Sequence, residues 1–158
     1  MTAQTRVPTA RDIMATKLIT VGPDIPIEKA IDVLLRNNIS GAPVVDSPKN
    51  LVGMLSERDC LRVLSNAAFD RLPNGRVRDY MSPCHMTIGP EDGLFMVADL
   101  FLRTPYRRFP VIEDGELVGQ VSRRDVLRAT REFIREIEGK PGGKAASFLT
   151  DEIRSRLG

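Results

Sequence analysis

The feature that most constrains this chain is that it spells one pattern twice. Adding 67 to the numbers of the first half carries Arg11 onto Arg78, Asp12 onto Asp79, Met14 onto Met81 and Thr20 onto Thr87. It also carries Gly22-Pro23 onto Gly89-Pro90, Asp32 onto Asp99, Arg36 onto Arg103 and Pro43-Val44 onto Pro110-Val111. One residue is lost in the next turn, and the offset becomes 66. Leu51-Val52-Gly53 then falls on Leu117-Val118-Gly119, and Ser56, Arg58 and Asp59 fall on Ser122, Arg124 and Asp125. Identities in register over this length define two copies of one unit.

The order within a copy follows from periodicity. Short extended pieces, Leu18–Val21 and His85–Ile88, open the copies. Apolar residues at Ile27, Ala30, Ile31 and Leu34, matched by Leu94, Val97, Ala98 and Phe101, have the spacing of an amphipathic helix. Pro23-Asp24 and Pro90-Glu91 suit its start, and Asn37-Asn38 and Thr104-Pro105 its end. Two β runs follow, Ala42–Val45 with Leu51–Leu55, and Phe109–Ile112 with Leu117–Val121. Asp114-Gly115 joins the second pair as a tight hairpin. A closing helix begins at Glu57 and at Arg123, the latter running to about Glu138. The fold class expected is α+β: two tandem β-α-β-β-α units packed as a pseudo-two-fold pair, with a C-terminal helical tail. The expected boundaries are a flexible N-terminus (1–9), repeat 1 (10–64), a linker (65–76), repeat 2 (77–131) and the extension (132–158). In that extension Leu149, Ile153 and Leu157 form an apolar stripe. A unit of this size alone buries only about 60% of its surface and is marginal, so two copies must share a core.

Composition narrows the function. The chain of 158 residues is 42% hydrophobic and 28% charged, ordinary for a globular protein. No apolar run reaches the roughly 18 residues of a membrane span. The first eleven residues carry no secretory core, so the expected compartment is the cytoplasm. A single histidine, His85, excludes multi-histidine metal sites. Cys84-His85 alone cannot complete a tetrahedral site, and Cys60 replaces Val126 as a small apolar residue. No catalytic set is legible, so the chain reads as a non-enzyme without a required cofactor.

Each copy contains Gly-x-x-Ser-x-Arg-Asp where a strand meets a helix, Gly53–Asp59 and Gly119–Asp125. One reading is a capping box, with Ser56 or Ser122 as N-cap and Asp59 or Asp125 as its acidic partner. The other is a nucleotide site. A helix start presents N–H groups to an anion, the serine bonds phosphate, the carboxylate accepts from both hydroxyls of a ribose, and the glycine lets a ligand approach the backbone. Both readings stand.

The tandem pattern, with Met and Thr early, Pro-Val in the middle and Leu-Val-Gly-x-x-Ser-x-Arg-Asp at the end, resembles a pair of CBS domains over about Ala10–Arg131. The resemblance implies a stand-alone regulatory module that binds adenosine-containing ligands between its repeats, and a homodimer of two pairs. Carried over by position, the first set is Ile19 and Thr20 near the base, Ala42 and Pro43 lining it, Ser56 at ribose or phosphate and Asp59 on the ribose hydroxyls. The second set is Met86, Thr87, Phe109, Pro110, Ser122 and Asp125. Where nucleotide-binding members often carry a hydroxyl before the aspartate, this chain has Arg58 and Arg124. Arg108 precedes the second pocket strand where the first copy has Gly41, and it is expected to favour phosphate-rich ligands there. The function expected is energy sensing: an adenine nucleotide, acting as regulatory ligand, biases the module's shape or its choice of a protein target. The alternative is a nucleic-acid-binding or dimerisation module using the arginine-rich second half, although acids interleave those arginines and weigh against nucleic acid.

Overall fold

The structure, a computed structural model, describes residues 5–67 and 74–139. Its elements run α1 (Ala10–Ile13), α2 (Ile27–Arg36), β1 (Gly41–Asp46), β2 (Asn50–Ser56), α3 (Glu57–Ala67), α4 (Val77–Tyr80), α5 (Leu94–Arg103), β3 (Arg108–Glu113), β4 (Glu116–Ser122) and α6 (Arg123–Glu138). The chain is α+β, with the same order of elements in each half. Contacts divide the described residues into two units: one of 15–67, 74–89 and 109–120, the other of 5–14, 90–108 and 121–139. Units and repeats therefore do not coincide.

In the first unit β1 and β2 pair antiparallel, Gly41 opposite Ser56 and Val44 opposite Gly53, with a bulge between Val44 and Val45. Single residues extend both edges. Val21 bridges Val44 in parallel, and Ser82 bridges Met54. The β3–β4 hairpin is flanked the same way, by Ile88 at Val111 and by Ala15 at Gln120. The expected opening strands thus shrink to Val21 and Ile88. Gly22-Pro23 and Gly89-Pro90 follow at once, and a proline brings no N–H to a ladder. Asp114 and Gly115 both have positive φ, 50° and 80°, as the tight turn requires.

The helices bury the expected faces. Ile27, Ala30 and Leu34 of α2 are buried, as are Leu94, Val97 and Phe101 of α5. The α2 start differs from expectation. It lies at Ile27 rather than beside Pro23-Asp24, and α5 starts at Leu94 rather than beside Pro90-Glu91. Those residues serve another purpose. The Pro23 and Ile25 carbonyls accept from the N–H groups of Arg78 and Val77, and the Asp24 carboxylate pairs with Arg78. In the other unit the Pro90 and Asp92 carbonyls accept from Arg11 and Ala10, and Glu91 pairs with Arg11. Each Pro-acid turn is a dock for a four-residue helix that belongs, by sequence, to the other repeat.

These short helices, α1 and α4, were not expected. Val77 and Tyr80 of α4 sit in one core with Val21, Ile27, Ala30, Val44, Leu55 and Val63. In the other unit α1 packs on α6, where Ala10 is fully buried, and Phe95 meets Phe133 edge-on at 5.8 Å. Helix α3 continues through Ala67, so the start of the expected linker is helical. The Leu149, Ile153, Leu157 stripe lies outside the described residues.

Candidate functional site

Both Gly-x-x-Ser-x-Arg-Asp turns form capping boxes. The Ser56 N–H and hydroxyl each donate to Asp59 Oδ2 at 2.8 Å, and the Asp59 N–H donates back to the Ser56 hydroxyl at 3.1 Å. At Ser122 and Asp125 the same three bonds measure 2.8, 2.8 and 3.2 Å. Both serine hydroxyls, expected at ribose or phosphate, are already engaged within their turns. A hydroxyl has one proton, and in both turns that proton is given to the neighbouring carboxylate. Ser56 and Ser122 can only accept while the box is intact.

The two carboxylates differ at Oδ1. In Asp59 it accepts from the Ser82 hydroxyl at 2.8 Å and from Arg62 Nη2 at 2.5 Å. The same Arg62 nitrogen also donates to the Tyr80 carbonyl at 2.9 Å. Asp59 is only 6% exposed, the one buried charged residue among those described. Burial pushes its carboxyl up, but the bonds from the Ser56 backbone and hydroxyl, Ser82 and Arg62 outweigh it and hold the group below the usual range. Asp125 Oδ1 meets Arg128 Nη1 at 3.3 Å, and its side chain is 17% exposed.

Gly53 also needs a different account from ligand approach. A Cβ there would stand 2.9 Å from the Ser82 carbonyl oxygen and 3.0 Å from Met81 Sδ. The room that glycine leaves is filled by the protein's own chain, which pairs there through two 2.9 Å bonds between Met54 and Ser82.

The remaining residues of the first set lie in one unit. The Val21 N–H donates to the Pro43 carbonyl at 3.1 Å, which sets exposed Thr20 one residue from the pocket strand. Ala42 pairs with Leu55, next to Ser56. Ile19 is 36% exposed, whereas Ala42 and Pro43 are fully buried. Arg58 is exposed on the first turn of α3. Of the second set, Met86, Thr87, Phe109 and Pro110 lie in the same unit as the first set, and Arg108, Ser122, Arg124 and Asp125 in the other. Phe109 and Pro110 are fully buried, Thr87 and Arg124 exposed, Met86 and Arg108 half-buried. Arg107 is exposed and lies just before β3, whereas Arg108 is its first residue. A cleft of about 670 Å³ lined by Asp24, Arg76, Arg78 and Asp79 shares no residue with either set.

Among the described residues no cluster of three or more histidine, cysteine or acidic side chains could hold a metal. No described helix is long and apolar enough to cross a membrane. Cys60 and Cys84 are unpaired and half-buried. Burial raises both thiols, with Asp59 and Glu57 adding to the effect at Cys60.

Two repeats of one α+β order, each with a Ser-Asp box at the same strand-to-helix turn, define a tandem-repeat module. The chain belongs to the CBS domain family, whose sequence pattern matches residues 10–66 and again 77–132. It is 32% identical over 119 residues to protein MJ1225 of Methanocaldococcus jannaschii, across 75% of this chain and 41% of that one. It is 31% identical over 144 residues to the chloroplastic CBS domain-containing protein CBSX1 of Arabidopsis thaliana, across 75% and 61%. The chain thus spans less than two thirds of either relative. The crystal structure of CBSX2 in complex with AMP superposes with a TM-score of 0.71 at 30% identity, over 81% of this chain and 99% of that one. That protein is also from Arabidopsis thaliana.

Proposed function

We propose that this chain is a non-catalytic regulatory module that binds an adenosine-containing ligand of the AMP, ADP or ATP type. The observation that carries the reading is the likeness to CBSX2, a protein solved with AMP, over nearly that whole chain. The Ser-Asp turns at two repeat-equivalent helix starts support it, with an aspartate Oδ1 that protein donors leave open as acceptor for ribose hydroxyls. Ala42, Pro43, Phe109 and Pro110 are covered by protein. A base reaching them must displace packed chain, and such binding favours a state in which they are open. Competition among nucleotides for one site would make the module a sensor of energy state, read by a protein target. The unpaired thiols suit a reducing compartment, and the cytoplasm is the one proposed here. The test is a thermal-shift panel with AMP, ADP, ATP, NAD and S-adenosylmethionine. Ligand at 100 times its dissociation constant adds about 2.7 kcal/mol. No shift with any of them sinks the reading.

A second role, self-association, is favoured by exposed leucines at matching places in both repeats. Leu35 and Leu102 are 73% and 86% exposed, and Leu61 and Leu127 are 64% and 70% exposed. Isolated apolar side chains on a surface are ordinary, but the same positions exposed in both copies suit a partner with the same repeat, namely a second chain.

A further inference from the structure

Ser82 distinguishes the two repeats at the carboxylate that matters. The Ser82 backbone is fixed against β2 by its paired bonds to Met54, both 2.9 Å, and the bare face of Gly53 admits it. Its hydroxyl therefore does not wander on the surface. It donates to Asp59 Oδ1 at 2.8 Å. Arg62, anchored on the Tyr80 carbonyl, takes the same oxygen. Ser56 holds Oδ2. Every oxygen of Asp59 is engaged by protein donors.

The second repeat keeps the backbone pairing and lacks the hydroxyl. The residue 67 places before Ser82 is Ala15, and it pairs with Gln120 as Ser82 pairs with Met54, through bonds of 2.9 and 3.0 Å. Alanine has nothing to donate. Among the described residues Asp125 Oδ1 has only the longer, exposed contact to Arg128, which is a weak partner for water or ligand to displace.

We propose that the Ser82 hydroxyl closes the first-repeat carboxylate to ligand, so that each chain takes one adenosine-class ligand, through Asp125, while Asp59 serves as a structural tie. This rests on the reading above and specifies which repeat responds. A ribose diol brings two donors and needs an acceptor with open lone pairs. At Asp59 it must first break the Ser82 bond in a buried place, and at Asp125 it need not.

Calorimetric titration of AMP into the full chain tests this. The wild type is expected to bind one AMP per chain, and Asp125→Asn to lose it. Ser82→Ala should raise the stoichiometry to two, whereas Ser82→Thr, which keeps the hydroxyl, should remain at one. Two equal sites in the wild type, full binding by Asp125→Asn, or one site in Ser82→Ala overturns the proposal. If no variant binds AMP or any other adenosine ligand, the reading of function fails instead. The tie is then judged without ligand: Ser82→Ala and Asp59→Asn should each lower Tm by several degrees more than Asp125→Asn. Equal melting temperatures overturn it.

Discussion

Asp59 accepts hydrogen bonds at both oxygens while buried, and that has a pH signature. A carboxyl held below its unfolded value stabilises the fold above that value, about 3.9, and the contribution is lost as pH falls through the folded one. Asp59→Asn should therefore cost stability at neutral pH, about 2 kcal/mol with cap and buried bonds both disturbed. The gap to wild type should narrow in acid, below the usual carboxylate range, as the native carboxyl protonates. Urea melts at neutral and acid pH check this, and a gap constant with pH refutes it. Asp12, brought down to about 2 by its bond to Arg6 and then by the Thr9 N–H, follows the same sign. That pair is exposed, so added salt should erase most of its contribution. Gly53→Ala is a separate test. Its Cβ would press on the Ser82 carbonyl, and overpacking of this kind costs about 1–3 kcal/mol. A melt unchanged from wild type would mean that the neighbouring chain gives way freely.

Helix α4 is short and belongs by sequence to the second repeat, yet its Val77 and Tyr80 complete the core around α2 and α3. Tyr80→Ala removes a ring that is 5% exposed and whose hydroxyl bonds the Asn74 carbonyl. The expected loss is about 3 kcal/mol by chemical denaturation. A loss below about 1 kcal/mol would mark the helix as peripheral. This is also where reading the sequence stopped short. The main helices and hairpins were legible because their burial repeats locally, at 3.6 or 2 residues. The capping boxes were legible because serine and aspartate lie three apart. A four-residue helix has no period to detect, and its partners Pro23 and Ile25 lie more than fifty residues away. The offset of 67 sets Ser82 against Ala15, but nothing local shows that the hydroxyl reaches Asp59. The neighbour of Gly53 is not legible either, since it is a distant piece of chain.

For the whole molecule, self-association is expected to depend on the repeat-paired leucines. Leu102→Asp combined with Leu127→Asp, both on exposed positions, should leave the fold intact and shift a dimer to monomer in sedimentation. A wild type that sediments as monomer at high concentration ends that reading. The docking of α1 and α4 has a consequence for how the protein is made. Synthesis runs from the N-terminus, and the core that Val21 to Val63 helps to build stays uncovered until Val77 and Tyr80 have left the ribosome. Helix α1, which emerges before that core, must wait longer still, for the Pro90 and Asp92 carbonyls that it binds. The first repeat therefore cannot finish before the second has begun, and a nascent chain stalled between them presents apolar surface that a chaperone would hold.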